Sequence, residues 1–185
     1  MQQTNLSLYN NSPFHPGGNA LKRAFWYVVN VAVFKSSLLP FSGLKRWLLR
    51  LFGAKVAGGV VIKPCVNIKY PWNLQIGANT WIGEGVWIDS LVKVSIGANV
   101  CLSQNALVLT GSHNYKKTTF DLITGPVTLA DGVWIGAGAI INQGITAQTH
   151  AVLTAGSIAN KNLDAYSIYQ GNPAIKIRPR VMENN

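Results

Sequence analysis

Imidazole is the side chain best placed to carry a proton near neutral pH, and the chain has three of them, His15, His113 and His150. His15 sits in a polar opening segment. His150 falls at the fourth place of a repeating hexad, a position expected to face outward. His113 stands where the repeat gives way to the one long irregular stretch, residues 112–126. A base at that point could take the proton from a hydroxyl or an amine and release it to attack a carbonyl carbon. Zinc chemistry would need three histidines or a substitute set. Only His113 is well placed for that, since His150 follows 37 residues later. Cys65 and Cys101 occupy repeat positions and read as packing residues rather than nucleophiles. Two cysteines are no disulfide framework, which points to a reducing cytoplasm.

The frame that would hold His113 is legible as a period of six. Aliphatic or small residues recur at Val56, Ile62 and Ile68, at Ile76, Ile82 and Ile88, and at Ile96, Leu102 and Val108. They resume at Leu129, Ile135, Ile141, Ala147, Leu153 and Ala159. Six is neither the helical period nor simple alternation. It fits a short strand plus a turn, three of which close a triangular coil, with each aliphatic side chain stacked on its equivalent about 4.8 Å away. Glycines after the aliphatic positions read as corner residues. Val56 to Ile76 and Ile76 to Ile96 are each 20 residues, so two coils carry a two-residue extension at a corner. Asp89 falls just before one of these extensions, where it could position His113. Tyr115 follows His113 in the irregular stretch, and Asn105 could reach the same cleft. Ala147-Gln148 replaces the usual aliphatic–Gly pair, and a local distortion is expected there.

The chain of 185 residues is 48% hydrophobic and only 12% charged, which excludes a disordered chain or a coiled coil. No apolar run reaches the roughly 18 residues of a spanning helix. The polar start argues against a cleaved signal. Net charge is +10, and the first acid is Glu84. Such asymmetry suits an anionic partner; no nucleic-acid recognition motif is present. Residues 1–55 read as a separate helical segment. Asn19 is expected to cap a helix over 20–35, and Ser42 a second over 43–52 that sets Leu44, Trp47, Leu48 and Leu51 against Lys45, Arg46 and Arg50. A basic amphipathic helix suits a membrane surface; it equally suits the cap that the open first coil requires. Residues 56–175 form the repeat domain, with a protruding loop over 112–126, and residues 176–185 a basic tail.

The hexads, Thr110-Gly-Ser-His113, Val133-Trp-Ile-Gly-Ala-Gly138 and Gly171-Asn-Pro-Ala174 together resemble the hexapeptide-repeat acyltransferases over about residues 56–180. The stretch 41–54, Pro71-Trp-Asn-Leu74 and Leu102-Ser-Gln104 are similar to the colanic-acid-biosynthesis acetyltransferase subgroup. The resemblance implies a mainly β, left-handed parallel β-helix that forms homotrimers. It implies acetyl-CoA as co-substrate, no metal, and O-acetylation of a sugar hydroxyl in surface polysaccharide assembly. His113 would be the general base and the backbone amide of Ala137 the oxyanion donor. Ala155 and Gly156, with Trp134, would line the pantetheine groove. Lys161 and Arg178 would meet the nucleotide phosphates, and the acceptor would bind between subunits near Asp89, Asn105 and Tyr115. The apolar basic helices, in place of a soluble-sugar type of N-terminus, favour a lipid-linked saccharide as acceptor and peripheral contact with anionic lipid at the inner face of the plasma membrane. An amine acceptor, a zinc-dependent carbonic anhydrase and a non-catalytic scaffold are the competing readings.

Overall fold

A computed structural model describes residues 2–12 and 14–183. The hexads form three parallel sheets wound into a left-handed triangular prism. Strands Lys55–Val56, Leu74–Ile76, Val94–Ile96, Val127–Leu129 and Thr146–Ala147 stack as the first sheet. The second stacks Val61–Ile62, Trp81–Ile82, Cys101–Leu102, Trp134–Ile135 and Val152–Leu153, and ends in the antiparallel pair Ser167–Gly171 and Ala174–Pro179. The third stacks Asn67–Ile68, Trp87–Asp89, Leu107–Leu109, Ile140–Ile141 and Ile158–Ala159. Every aliphatic position of the hexad points inward: Ile62, Ile68, Ile82, Ile88, Val108, Ile135, Ile141 and Leu153 are fully buried. Each such side chain contributes about 1.5–3 kcal/mol of apolar burial, which no single coil could collect alone.

The expected distortion at Ala147-Gln148 does not occur. Thr146–Ala147 pairs in register with Thr128 and Leu129, and Ala147 is buried. A methyl at that position leaves the ladder intact because register is held by the backbone and by neighbouring rungs.

Glycine serves the corners in two ways, where the sequence suggested one. Gly136, after the aliphatic position, has an ordinary φ, but a Cβ there would lie 2.4 Å from the Ala155 nitrogen in the next coil. Gly138, two residues on, is left-handed at φ 64° and faces open space. Asparagines fill the left-handed place at Asn79, Asn99 and Asn105, as their short polar side chains permit. Cys65 also takes it, and Cys101 points outward between Trp81 and Trp134, so neither cysteine is an interior packing residue.

The N-terminal segment closes the first coil. Helix α1 (Ala20–Val29) begins at Asn19, whose side chain accepts from the Lys22 amide at 2.8 Å. It widens into a π-helical turn over Asn30–Phe34. There buried Asn30 donates to Asn67 Oδ1 at 2.7 Å and accepts from the Ile68 amide at 3.2 Å. Helix α2 (Ser42–Leu51) starts one residue earlier than expected. Ser42 does not cap it; its hydroxyl donates to the Ile62 carbonyl and accepts from the Ile62 amide at 2.9 Å. Lys45 donates to the Lys63 carbonyl at 2.7 Å, Arg46 to Val60 at 2.6 Å, Arg50 to Val56 at 2.9 Å and Trp26 to Ile68 at 2.8 Å. The open rim of a parallel coil leaves carbonyls without a next strand. These cations supply the missing donors.

Candidate active site

Three edges join the three sheets, and the residues picked out by sequence divide between two of them. The edge from the third sheet to the first carries the two-residue extensions at residues 69–73 and 90–93, and the interruption at 110–126. His113 and Asp89 lie here. The interruption is a β-arm in which Gly111–His113 pairs antiparallel with Leu122–Thr124, placing His113 opposite Leu122. Half-buried His113 stacks on Phe120 with ring centroids 4.5 Å apart, and Tyr9 stands against its other side at 5.9 Å. Its Nδ1 lies 3.0 Å from the Phe120 carbonyl oxygen. A carbonyl can only accept, so Nδ1 carries the hydrogen and neutral Nε2 keeps its lone pair.

Asp89 ends the strand next to this arm. Its Oδ1 is buried without a hydrogen-bond partner among the described residues and stands 3.7 Å from Lys69 Nζ. Burial pushes this carboxyl above the usual aspartate range, and the Lys69 ammonium partly opposes the shift. His113, Asp89, Lys69, Leu91, Gly111 and Leu122 share a pocket of about 320 Å³ whose remaining wall is Tyr9, Asn11 and Phe14. A carboxyl group and a histidine that line one pocket are suited to holding a hydroxyl while its proton is removed.

The N-terminal residues were not expected at this site. The Asn5 amide donates to the Thr118 carbonyl of the arm at 2.8 Å, and Trp72 donates to Pro16 at 2.8 Å. No periodicity marks Tyr9, Asn11 or Phe14 as pocket residues; only Trp72, in the Pro-Trp-Asn extension, hints at an anchor. Tyr115 lies on the arm's turn with 77% of its surface exposed, away from the pocket wall. His15 only accepts from the Gly17 amide, and His150 stacks on Tyr166 at 4.8 Å.

The edge from the second sheet to the third gathers Ala137, Ala155, Gly156 and Asn105. Ala137 is exposed there, and its N–H makes no backbone hydrogen bond among the described residues. The Gly156 amide donates to the Ala137 carbonyl at 2.8 Å, so Ala155 and Gly156 stack directly on it. Trp134 approaches this edge along the second sheet, its indole fixed by a 2.9 Å bond to Ser103 Oγ. Asn105 occupies the same edge one coil below, so within a single chain it does not join Asp89 and His113. Lys161 is exposed at the third-to-first edge, and Arg178 is exposed in the terminal strand Ala174–Pro179, where the sequence suggested a tail. Lys176 is paired with Asp164 at 3.1 Å. Among the described residues no three His, Cys, Asp or Glu side chains come together as a metal site, and no helix is long and apolar enough to cross a membrane.

No protein-family model matches the chain. Among curated proteins it is 36% identical over 165 residues to the chain assigned as the colanic acid biosynthesis acetyltransferase WcaF of Escherichia coli, covering 89% of this chain and 91% of that one. Its fold matches a hexapeptide-repeat acetyltransferase of Vibrio cholerae complexed with acetyl-coenzyme A, with TM-score 0.81, 21% identity and coverage of 95% and 97% of the two chains. A galactoside acetyltransferase in complex with coenzyme A aligns with TM-score 0.77 and 26% identity, covering 87% of this chain and 82% of that one. The prism, the interrupted edge with His113 and this degree of identity over nearly the whole length together place the chain in the hexapeptide-repeat acetyltransferases, among the relatives of the colanic-acid-biosynthesis enzyme.

Proposed function

We propose that the protein transfers acetyl from acetyl-CoA to a sugar hydroxyl in surface polysaccharide assembly, with His113 as general base. The observation that carries this is the Nδ1–Phe120 contact, which leaves Nε2 as acceptor on a histidine that shares its pocket with Asp89. The acceptor O–H gives its proton to Nε2 as its oxygen attacks the thioester carbon. The tetrahedral oxyanion accepts a hydrogen bond from the Ala137 N–H. Its collapse expels the CoA thiolate, which takes the proton back from the imidazolium. Trp134, Ala155 and Gly156 hold the pantetheine arm; Lys161 and Arg178 meet the nucleotide phosphates.

Because His113 and Ala137 stand on different edges of one prism, this reaction needs two protomers, one giving the base and the other the amide. A homotrimer is one closed arrangement in which every protomer gives and receives alike. The exposed Trp81 and Trp134, with half-buried Cys101 between them on the second sheet, support such packing. A peripheral membrane contact rests on the outward faces of the helices, where Leu21, Phe25 and Val28 on α1 and Leu44, Trp47 and Leu51 on α2 are exposed. Lys45, Arg46 and Arg50 are committed to carbonyls and do not add to it. Flotation with anionic liposomes at low salt tests that contact, and absence of co-flotation ends it. The main test is labelled acetyl-CoA with a panel of free and lipid-linked saccharides, the product identified by mass. Acetyl ester on a sugar is the expected result; CoA turnover without a sugar ester would refute the acceptor class.

A further inference from the structure

A second pocket, of about 380 Å³, lies between α1 with its π-helical turn and the outer face of the third sheet. Its polar character is one-sided. Arg23, Lys35 and Lys69 line it, together with the aromatic rings of Tyr27, Tyr70 and Trp87, and no acid is among the lining residues. Lys35 is exposed at the end of the π-helical turn, and Arg23 is held by a 2.8 Å bond from Nη1 to the Gly18 carbonyl. Lys69 already faces Asp89 at 3.7 Å, but Arg23 and Lys35 have no acid partner among the described residues, and gathering such cations in one pocket is costly unless a ligand supplies the opposite charge. Lys69 also lines the His113 pocket, so the two cavities adjoin across one side chain. Trp87 and Asp89 belong to the same strand, with Trp87 on the side of the second pocket.

We infer that this second pocket binds the phosphate or diphosphate ester of the acceptor, so that the substrate is a glycosyl phosphate whose sugar lies at His113 and whose anionic group lies among Arg23, Lys35 and Lys69. Guanidinium and ammonium groups are the natural partners of phosphate oxygens. The rings of Tyr27 and Trp87 offer flat apolar surface to what the ester carries. The exposed side chains of Val28 and Val31 continue that apolar surface along α1 and the turn after it. The same phosphate chemistry belongs to a lipid-linked sugar and to a nucleotide sugar. The inference rests on the acetyl-transfer reading for the sugar's position, but its test does not need turnover.

Inorganic pyrophosphate, farnesyl diphosphate and UDP are titrated calorimetrically into the full chain with excess coenzyme A present, which removes competition from the cofactor groove. Two charge reversals are compared, Lys35→Glu in the pocket and Lys55→Glu, exposed on the first sheet. Pyrophosphate affinity is expected to fall about tenfold or more in Lys35→Glu and to stay within about twofold in Lys55→Glu. Equal losses in both variants, a smaller loss in Lys35→Glu, or no pyrophosphate binding to the parent chain would each overturn the proposal. Tighter binding of farnesyl diphosphate than of UDP assigns the ester to a lipid carrier, and the reverse order to a nucleotide; either order sustains the phosphate site. If the Lys35→Glu loss is found but no saccharide is acetylated, the phosphate site stands and the transferase reading falls.

Discussion

Asp89→Asn is the substitution that separates a binding carboxylate from a structural one. Asparagine keeps the shape and removes the charge. In the parent, one carboxylate oxygen is buried with no hydrogen-bond partner among the described residues, and its ion-pair contact among them is Lys69 at 3.7 Å. That distance is beyond hydrogen bonding, and the partly exposed lysine gains little from the pair. A folded-state pKa raised mainly by burial means that ionised Asp89 is costly in the native protein. The sign follows from linkage: a raised carboxyl contributes stability below its unfolded value of 3.8, and the contribution is lost as pH climbs through the folded value. The thermal midpoint of Asp89→Asn relative to the parent should therefore rise as pH climbs above 3.8, and be higher at pH 8 than at pH 4. Activity should move the other way. A hydroxyl hydrogen-bonded to a carboxylate is worth about 1.5–3 kcal/mol, so kcat/KM for the acceptor should fall about 10- to 150-fold while KM for acetyl-CoA is unchanged. An unaltered kcat/KM, or a thermal midpoint that drops at pH 8, would refute the idea that this carboxylate is held unpaired for a substrate.

His113→Ala should lower kcat by about 10²–10⁴-fold, with the circular dichroism and oligomeric state of the parent; a smaller loss would remove His113 as the base. Lys45→Ala should destabilise by about 2–4 kcal/mol, from a lost charged hydrogen bond and a lost buried stem, measured by denaturant unfolding. Burial also holds the Lys45 ammonium below its ordinary value of 10.5, so the parent should gain stability as pH rises from that lowered value towards 10.5, and Lys45→Ala should show no such gain. Gly136→Val should abolish soluble expression or coenzyme A binding, since its Cβ would press on the Ala155 and Thr154 backbone at 2.4–2.7 Å; a variant with parental affinity for coenzyme A would show that this edge is not the cofactor groove.

The prism was readable because its core depends on one rule, an inward aliphatic side chain every six residues, and the fold keeps that rule even at Ala147. The extensions after Ile68 and Ile88 and the break after Val108 were readable too, as departures from the same rule, and all three fall on one edge. That coincidence is why His113 and Asp89 end up together. Asn105 shows where such reasoning stops: its place in the hexad fixes its edge, and within the chain that edge is not the one that carries His113. The helices are ambiguous for a different reason. Lys45, Arg46 and Arg50 on an apolar helix have the pattern of a lipid-binding surface, yet unpaired carbonyls of an open coil attract the same cations. The two outcomes are indistinguishable in sequence because both partners are rows of oxygen acceptors. Tyr9, Asn11 and Phe14 leave no trace at all, since a strap held by Asn5, Thr118 and Trp72 obeys no period. The practical consequence concerns specificity. The proposed oxyanion donor Ala137 sits on the repetitive part of the chain, whereas the proposed base His113 and the walls of its pocket come from the irregular segments, the strap, the arm and the corner at Lys69. Relatives that share the hexads can therefore share the proposed cofactor edge and still differ in what they acetylate.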